Sequence, residues 1–209
     1  MNQPPIRILI IDDHPAMRAG IAALVSSQSD MEVVAEGGGG REAIELHREL
    51  QPDIVLMDLR LSDLSGVEAI LAIRAEFPEA RVIVVTTYDS DEDIYRAVQS
   101  GAKSYLLKDR PKEEFFATIR DVHAGETILP SEVAERLNQR MRRPDLSARE
   151  MEVLLLISKG HSNKSVADQL RITEDTVKFR LKALFWKLGV HDRTAAVVTA
   201  VKLGIVQLE

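Results

Sequence analysis

Short apolar runs alternate with amphipathic stretches over the first 124 residues. Buried strands are predicted at 6–11, 32–36, 54–57, 82–85 and 104–107. Helices, with apolar residues at helical spacing, are predicted after them at 15–28, 42–50, 67–77, 91–100 and 113–124. Uninterrupted apolar strands that alternate with such helices are typical of a parallel sheet covered on both faces. We therefore predict an α/β domain built on a doubly wound five-stranded parallel sheet.

The rest of the chain carries helical periodicity alone. The predicted boundaries are 1–125 for the α/β domain, 126–145 for a linker with a short helix, and 146–209 for an all-α domain. Val133, Leu137 and Met141 share one face of the linker helix. Ser147 and Glu150 form a capping box at the beginning of the last domain. Its four helices are predicted at 147–159, from 162 or 163, at 173–188 and at 193–203.

Composition narrows the class of protein. The 209 residues are 45% hydrophobic and 29% charged, which supports folded domains, and they include no cysteine. Disulfide frameworks, cysteine-ligated zinc and thiol catalysis are therefore excluded. The apolar runs are too short to span a bilayer, and the first residues lack a signal-peptide pattern. We expect a cytoplasmic protein that does not engage a membrane.

Charge is divided unevenly along the chain. The net charge is −6, but residues 1–124 carry −9 and residues 146–209 carry +3. An acidic domain joined to a basic one favours two domains with different partners. Chance is the other interpretation, because +3 is a small excess for a segment of this length.

Polar residues follow four of the predicted strands. The first strand ends at Asp12 and Asp13, the third at Asp58, the fourth at Thr86 and the fifth at Lys108. Ligands of open α/β sheets bind outside these carboxyl ends. Three converging carboxylates repel one another, so a cation is expected, and oxygen ligands favour Mg²⁺. A carboxylate, a lysine and a hydroxyl beside Mg²⁺ suit phosphoryl transfer to Asp58.

The glycine run at 37–40 also lies between a strand and a helix. It lacks the spacing of a phosphate-binding loop, because Glu42 stands where a glycine would be needed. We interpret it as a flexible turn.

The all-α domain contains two short helices joined by a tight turn at Arg171 and Ile172, which is the pattern of a helix-turn-helix. On the second of these helices, the predicted core residues are Val177, Leu181, Leu184 and Leu188. The predicted outer face carries Lys178, Phe179, Lys182 and Trp186. Cations on one face of a helix allow it to enter the major groove of DNA, although a solvated face or a protein-binding patch has the same pattern.

The α/β domain resembles the receiver domain of two-component response regulators. The resemblance covers about residues 6–124 and rests on Asp12-Asp13, Met57-Asp58-Leu59, Gly66, Thr86 and Tyr105-Leu-Leu-Lys108. Receivers often have Met-Pro at the positions of Leu61 and Ser62, and many have a proline at the position of Asp109. Neither departure removes a chemical group from the site.

The resemblance implies roles for particular residues. Asp58 would be the phosphate acceptor, and Asp12 and Asp13 would bind Mg²⁺ together with Asp58 and the backbone carbonyl of Arg60. Lys108 would pair with the phosphoryl oxygens.

Two further residues would respond to phosphorylation of Asp58. Thr86 would donate its hydroxyl to the phosphoryl group. Tyr105 would be an aromatic switch that turns inward once Thr86 moves.

The all-α domain resembles the LuxR-type helix-turn-helix through Leu146-Ser-Ala-Arg-Glu150, Gly160-His-Ser-Asn-Lys164, Thr176-Val-Lys178 and Lys187-Leu-Gly-Val190. The resemblance implies base-facing roles for Lys178, Phe179 and Lys182. It implies backbone contacts for Asn163, Lys164, Thr176 and Arg180. Arg180 and Ala183 differ from the family's frequent His and Asn, so the DNA sequence preference does not transfer.

With both resemblances, the chain is similar to response regulators of the NarL/FixJ group. We expect a transcriptional regulator of double-stranded promoter DNA, switched when a sensor histidine kinase phosphorylates Asp58. Phosphorylation would drive dimerisation, release of the DNA-binding domain, or both, with RNA polymerase as a further partner. The apolar circumference of the last helix favours a homodimer as the active form, although a tightly packed monomer core has the same pattern.

Other functions share these features. One is a DNA-binding regulator that uses its receiver as a dimerisation module without phosphorylation, although the intact acidic site argues against it. Another is an α/β phosphatase or phosphotransferase for small molecules, which leaves the basic domain without a role. We expect no enzyme beyond a receiver that catalyses its own phosphotransfer and slow dephosphorylation.

Overall fold

The computed structural model describes residues 4–87 and 90–206. The chain divides into two compact units. One unit comprises residues 1–89 and 93–135, and the other comprises residues 90–92 and 136–209.

A parallel five-stranded sheet forms the centre of the first unit. Its strands are β1 (Ile6–Ile11), β2 (Met31–Gly37), β3 (Ile54–Met57), β4 (Val82–Thr86) and β5 (Ser104–Leu107). They lie in the order β2-β1-β3-β4-β5, and every pair is parallel. The predicted doubly wound sheet is confirmed.

Five helices connect and cover the strands. They are α1 (Pro15–Ser26), α2 (Gly40–Leu50), α3 (Gly66–Glu76), α4 (Asp91–Gln99) and α5 (Lys112–His123). Ile8 and Ile10 pack with α1 and α5 in one apolar cluster. Leu9 and Ile11 point to the opposite face and are equally buried. Helices therefore bury both faces of the central strands, which explains why β3 and most of β1 and β4 are apolar, whereas the edge strand β2 keeps exposed glutamates at 32 and 36.

Helix α2 begins two residues earlier than the sequence pattern predicts. The Asp63 carboxylate accepts the backbone N–H groups of Gly40 at 2.8 Å and Arg41 at 3.1 Å, which caps the helix. A β-carbon at position 40 would lie 2.3 Å from the Leu64 carbonyl oxygen. The glycine run therefore provides close approach for the β3–α3 loop, a more specific role than that of a flexible turn.

Over the described residues that follow, up to 206, there are five further helices: α6 (Ser131–Met141), α7 (Ala148–Ser158), α8 (Asn163–Leu170), α9 (Glu174–Leu188) and α10 (Arg193–Lys202). The capping box of Ser147 and Glu150 is present at α7. Side chains of Ser162 and Thr173 cap α8 and α9. The second unit has its own apolar core, which includes Val153, Leu154, Ile157, Val166, Val177, Leu184, Ala196 and Ala200.

Within the described residues, no helix is long and apolar enough to cross a membrane.

Candidate functional site

Two neighbouring strand ends bring acidic side chains together. Ile11 of β1 pairs with Met57 of β3, so the following residues, Asp12 and Asp58, are neighbours. The backbone N–H of Asp58 donates to the Ile11 carbonyl at 2.9 Å, which extends the β1–β3 pairing to the acid. Asp12 and Asp58 are buried, whereas Asp13 is half-buried. The polar edge predicted from the strand ends therefore exists in the fold.

Lys108 follows β5 and supplies positive charge to this edge. Its Nζ lies 2.6 Å from Asp12 Oδ2 and 2.6 Å from Asp58 Oδ2. Burial lowers the pKa of the ammonium, but its hydrogen bonds to the two carboxylates outweigh burial and raise the pKa above its usual value. The backbone N–H of Lys108 donates to the Thr86 carbonyl at 2.9 Å. The lysine is therefore held charged between the two buried acids.

One potential ligand atom from each of Asp12, Asp13, His14 and Asp58 lies within 4.8 Å of all the others. Lys108 offsets only one of the three carboxylate charges. Three carboxylate oxygens are the donors that hard divalent cations prefer, so the donor set fits a metal ion. The acidic cluster can therefore bind a metal.

The Asp58 carboxylate is held by backbone groups of the β3–α3 loop. Asp58 Oδ1 accepts the backbone N–H groups of Leu59 at 2.7 Å and of Arg60 at 3.4 Å. Gly66 begins α3 against this residue, since a β-carbon at position 66 would lie 2.1 Å from the Asp58 carbonyl oxygen. Only glycine permits that approach without moving the loop.

Thr86 and Tyr105 lie on the adjacent strands β4 and β5. Tyr105 pairs with Val84, and Thr86 lies two residues further along β4, so both side chains point to one side of the sheet. Both residues are fully buried. The ring of Tyr105 is therefore already buried, as the resemblance expects of it after switching.

In the second unit, α9 divides into a buried and an exposed face. Val177 and Leu184 are fully buried and Leu181 nearly so, as predicted. On the outer face, Phe179 and Trp186 have exposed fractions of 74% and 75%. Lys178 and Lys182 are exposed on this face, and Lys178 Nζ donates to Asp175 Oδ1 at 3.0 Å. Two large rings and two cations therefore share the surface of one helix.

Four other residues predicted to contact DNA lie on α8 and α9. Asn163 and Lys164 begin α8, with Asn163 half-buried and Lys164 exposed. Thr176 and Arg180 are half-buried on α9. The turn between α8 and α9 holds Arg171 in the left-handed region at φ 54°. The two helices are therefore joined as tightly as a helix-turn-helix requires.

Glu150 joins the beginning of α7 to the last turn of α9. Lys187 Nζ donates to Glu150 Oε2 at 2.7 Å and to the Asp145 carbonyl at 2.8 Å. Burial raises the pKa of Glu150, but the hydrogen bonds from Lys187 and Ser147 outweigh burial and lower it. The carboxylate therefore stays charged and fixes α9 against α7.

Comparison with protein families matches both units. The model of the response regulator receiver domain matches residues 8–120, and the model of bacterial regulatory proteins of the luxR family matches residues 144–200. The chain belongs to the response regulators with a luxR-type DNA-binding domain. Regulation by phosphorylation is typical of this family. The family favours the regulator over the small-molecule phosphotransferase that the strand ends also allowed.

Curated relatives match over the full length of this response regulator. Response regulator protein VraR from Staphylococcus saprophyticus is 40% identical over 208 residues, which cover 97% of this chain and 100% of the relative. VraR from Staphylococcus aureus is 40% identical over 207 residues, which cover 97% and 99%.

Solved structures agree with the fold. The response regulator ChrA of a haem-sensing two-component system is 37% identical, with a TM-score of 0.60 over 98% of this chain and 100% of that one. The RcsB–DNA complex is 23% identical, with a TM-score of 0.70 over 95% of this chain and 99% of that one. The RcsB likeness concerns the fold alone.

Sequence reasoning missed two residues at the receiver site. His14 Nδ1 lies 2.7 Å from Asp13 Oδ1, and its neighbourhood with the acidic pair was a signal that could have found it. Asp63 had no such signal, because its partner Gly40 is 23 residues away in the sequence.

Proposed function

We propose that a sensor histidine kinase phosphorylates Asp58 and that this modification controls DNA binding. The observation that carries the proposal is the position of Lys108 Nζ, 2.6 Å from both buried acids. In the transfer, a carboxylate oxygen of Asp58 forms a bond to phosphorus. The P–N bond of the kinase phosphohistidine breaks, and the released imidazole takes a proton from solvent.

Asp12, Asp13 and Asp58, with the backbone carbonyl of Arg60, would hold Mg²⁺. When bound, this ion offsets negative charge on the acids and the phosphoryl oxygens. Lys108 then keeps the remaining charge balanced by pairing with a phosphoryl oxygen. Its raised pKa supports this role, since the ammonium stays protonated at neutral pH.

Thr86 would donate its hydroxyl to the phosphoryl group, and Tyr105 would stabilise the resulting arrangement from the same side of the sheet. This change would promote dimerisation, release the DNA-binding domain, or both. The proposed domains are the receiver at 1–125, the linker at 126–145 and the DNA-binding domain at 146–209.

The DNA-binding domain would place α9 in the major groove of promoter DNA. Lys178, Phe179 and Lys182 would then face base edges. Residues near the phosphate backbone would be Asn163, Lys164, Thr176 and Arg180. Two copies would occupy half-sites one helical turn apart or a multiple of it, and RNA polymerase would be a partner at the promoter. Because its target is DNA, we place its action in the cytoplasm.

Intact mass spectrometry tests the acceptor. The wild type and Asp58→Asn are treated with acetyl phosphate and Mg²⁺, and oligomeric state is measured by light scattering on the same samples. We expect about 80 Da, one phosphoryl group, on the wild type alone, with a shift to dimer. Equal modification of Asp58→Asn would place the acceptor elsewhere. No adduct, where a control receiver is modified, would favour a regulator that works without phosphorylation.

A further inference from the structure

The chain contains a single tryptophan, and it is exposed on α9. Trp186 has an exposed fraction of 75%, although tryptophan has the largest side chain that the core could bury. Phe179, two turns earlier, is exposed to the same extent. Large exposed aromatic side chains grouped on one helix mark a binding surface.

Trp186 belongs to a stripe with Phe179 and Lys182. The three residues follow a spacing of three and four, so they lie on one face of α9. The stripe is about 10 Å long at the rise of an α-helix. An open groove of about 370 Å³ at its end is lined by Lys182, Phe185, Trp186, Gly189, Val190 and His191. The indole therefore has free space beside it.

The charges around the stripe select an anionic partner. Acidic residues occupy only the first turn of α9, at Glu174 and Asp175, and none occurs from 176 to 191. Four cations, Lys178, Arg180, Lys182 and Lys187, lie in that stretch. Lys178 pairs with Asp175 and Lys187 pairs with Glu150, so the excess of positive charge lies with Arg180 and Lys182. A helix surface with an excess of positive charge beside two aromatic rings suits a polyanion that also offers apolar faces, which is the chemistry of nucleic acid.

We propose that Trp186 packs on the deoxyribose–phosphate backbone at the edge of the major groove, with its indole N–H donating to a phosphate. The proposal rests on the proposed function of α9 and extends its DNA contact by one turn. Trp186 lies one turn, about 6 Å, beyond Lys182. With Lys182 over the bases of a groove about 12 Å wide, that step carries the ring to the bordering strand.

A backbone contact has a distinct signature. Phosphate and sugar contacts position a protein on DNA without reading its sequence, whereas base contacts specify it. Trp186→Ala therefore weakens binding to every duplex by a similar factor, about tenfold for the ring contact and the hydrogen bond together. Trp186→Phe keeps the ring and loses the N–H, so its loss is smaller. Lys182→Ala changes the loss from one duplex to another.

Because Trp186 is the only tryptophan, its fluorescence reports on this contact directly. The full chain, treated with acetyl phosphate and Mg²⁺, is titrated at low salt with 25-bp duplexes, one of random sequence and one selected for binding. Quenching by acrylamide is measured with and without DNA. Anisotropy of labelled duplex gives the affinity of each variant. We expect DNA to reduce acrylamide quenching several-fold.

A second reporter controls for general effects of DNA on emission. Leu71 lies on the receiver helix α3 and is exposed. Leu71→Trp in a Trp186→Phe background provides an exposed tryptophan on the receiver instead of on α9. Its acrylamide quenching is expected to be the same with and without DNA.

The outcomes separate the two proposals. If duplex binds and Lys182→Ala weakens it while quenching of Trp186 is unchanged, α9 binds DNA and the Trp186 contact is wrong. If neither Lys182→Ala nor Trp186→Ala alters duplex affinity, the DNA-binding role of α9 is wrong as well. Protection of Trp186 by raised protein concentration without DNA would assign the ring to a second copy of the chain, and would also overturn the contact.

Discussion

The carboxylate of Asp63 caps α2 through the backbone N–H of Gly40 at 2.8 Å. Asp63 lies in the loop that begins with Asp58, and the N–H groups of Gly40 and Arg41 lower the pKa of its carboxyl. The β3–α3 loop is thereby tied to the beginning of α2. The loop carries Leu61 and Ser62 between Asp58 and this cap.

We expect Gly40→Ala to destabilise the receiver by about 1–3 kcal/mol, because its β-carbon would meet the Leu64 carbonyl oxygen and force the loop away. Urea unfolding measures the loss. Gly20→Ala in α1 is the matched control, since its β-carbon meets nothing within 4 Å. That change is expected to stabilise by about 0.5–1 kcal/mol. Equal stability of the two variants would contradict the close packing.

The cap of α2 by Asp63 is a feature that the local sequence pattern could not predict. The apolar runs predicted every strand, because a buried parallel sheet leaves a local signature. The beginning of α2 was missed by two residues, since Asp63 that caps it comes from a distant loop. Met17 and Leu24 have helical spacing on α1 but remain exposed at 36% and 39%, because spacing alone does not specify what covers a face.

The acidic site was predictable for a related reason. The carboxyl ends of parallel strands meet at one edge of a sheet, so the sequence alone predicted that Asp12, Asp58 and Lys108 are neighbours. The distances from Lys108 Nζ to the two carboxylates, and the burial of Tyr105, depend on tertiary packing that no local sequence pattern encodes.

Lys108→Met removes the cation from two buried carboxylates. We expect a loss of about 3–5 kcal/mol, because Asp12 and Asp58 would face each other without compensation. Mg²⁺ should recover part of this loss. Urea unfolding with and without Mg²⁺ tests both effects. Lys112→Met, at an exposed position of α5, serves as the control. A Lys108→Met receiver as stable as that control would show that the pairing is not stabilising.

We expect His47 to make the stability of the receiver fall in mild acid. The residue is buried, its ring centroid lies 4.8 Å from that of Phe77, and burial lowers its pKa although Glu76 partly opposes this. The unfolded chain therefore binds a proton more readily than the folded one. Stability is complete above the unfolded pKa of about 6.5 and falls as the pH drops from there to the lowered folded value.

Thermal unfolding between pH 7.5 and pH 5 checks this expectation. His47→Leu should flatten the pH dependence of the melting temperature across that range. His191→Gln alters an exposed histidine and should leave the wild-type slope. A slope that survives in His47→Leu would assign the acid sensitivity to other groups.

Val198 on α10 tests the proposed dimer. Its exposed fraction is 47%, whereas Ala200 on the same helix is fully buried. We expect Val198→Glu to keep the circular dichroism of the wild type and to weaken DNA binding by about a hundredfold, because the second half-site contact is lost. Ala200→Glu should unfold the domain. Unchanged DNA affinity in a folded Val198→Glu protein would exclude α10 from the dimer interface.

The Glu150 carboxylate completes the capping box of α7 and also pairs with Lys187 at the end of α9. One side chain thus satisfies two helices that are far apart along the chain. A neutral residue at 187 would leave a buried anion, and a neutral residue at 150 would leave a cation and an open cap. Positions 147, 150 and 187 are therefore expected to covary: which substitutions are tolerated at one of them depends on the residues at the other two.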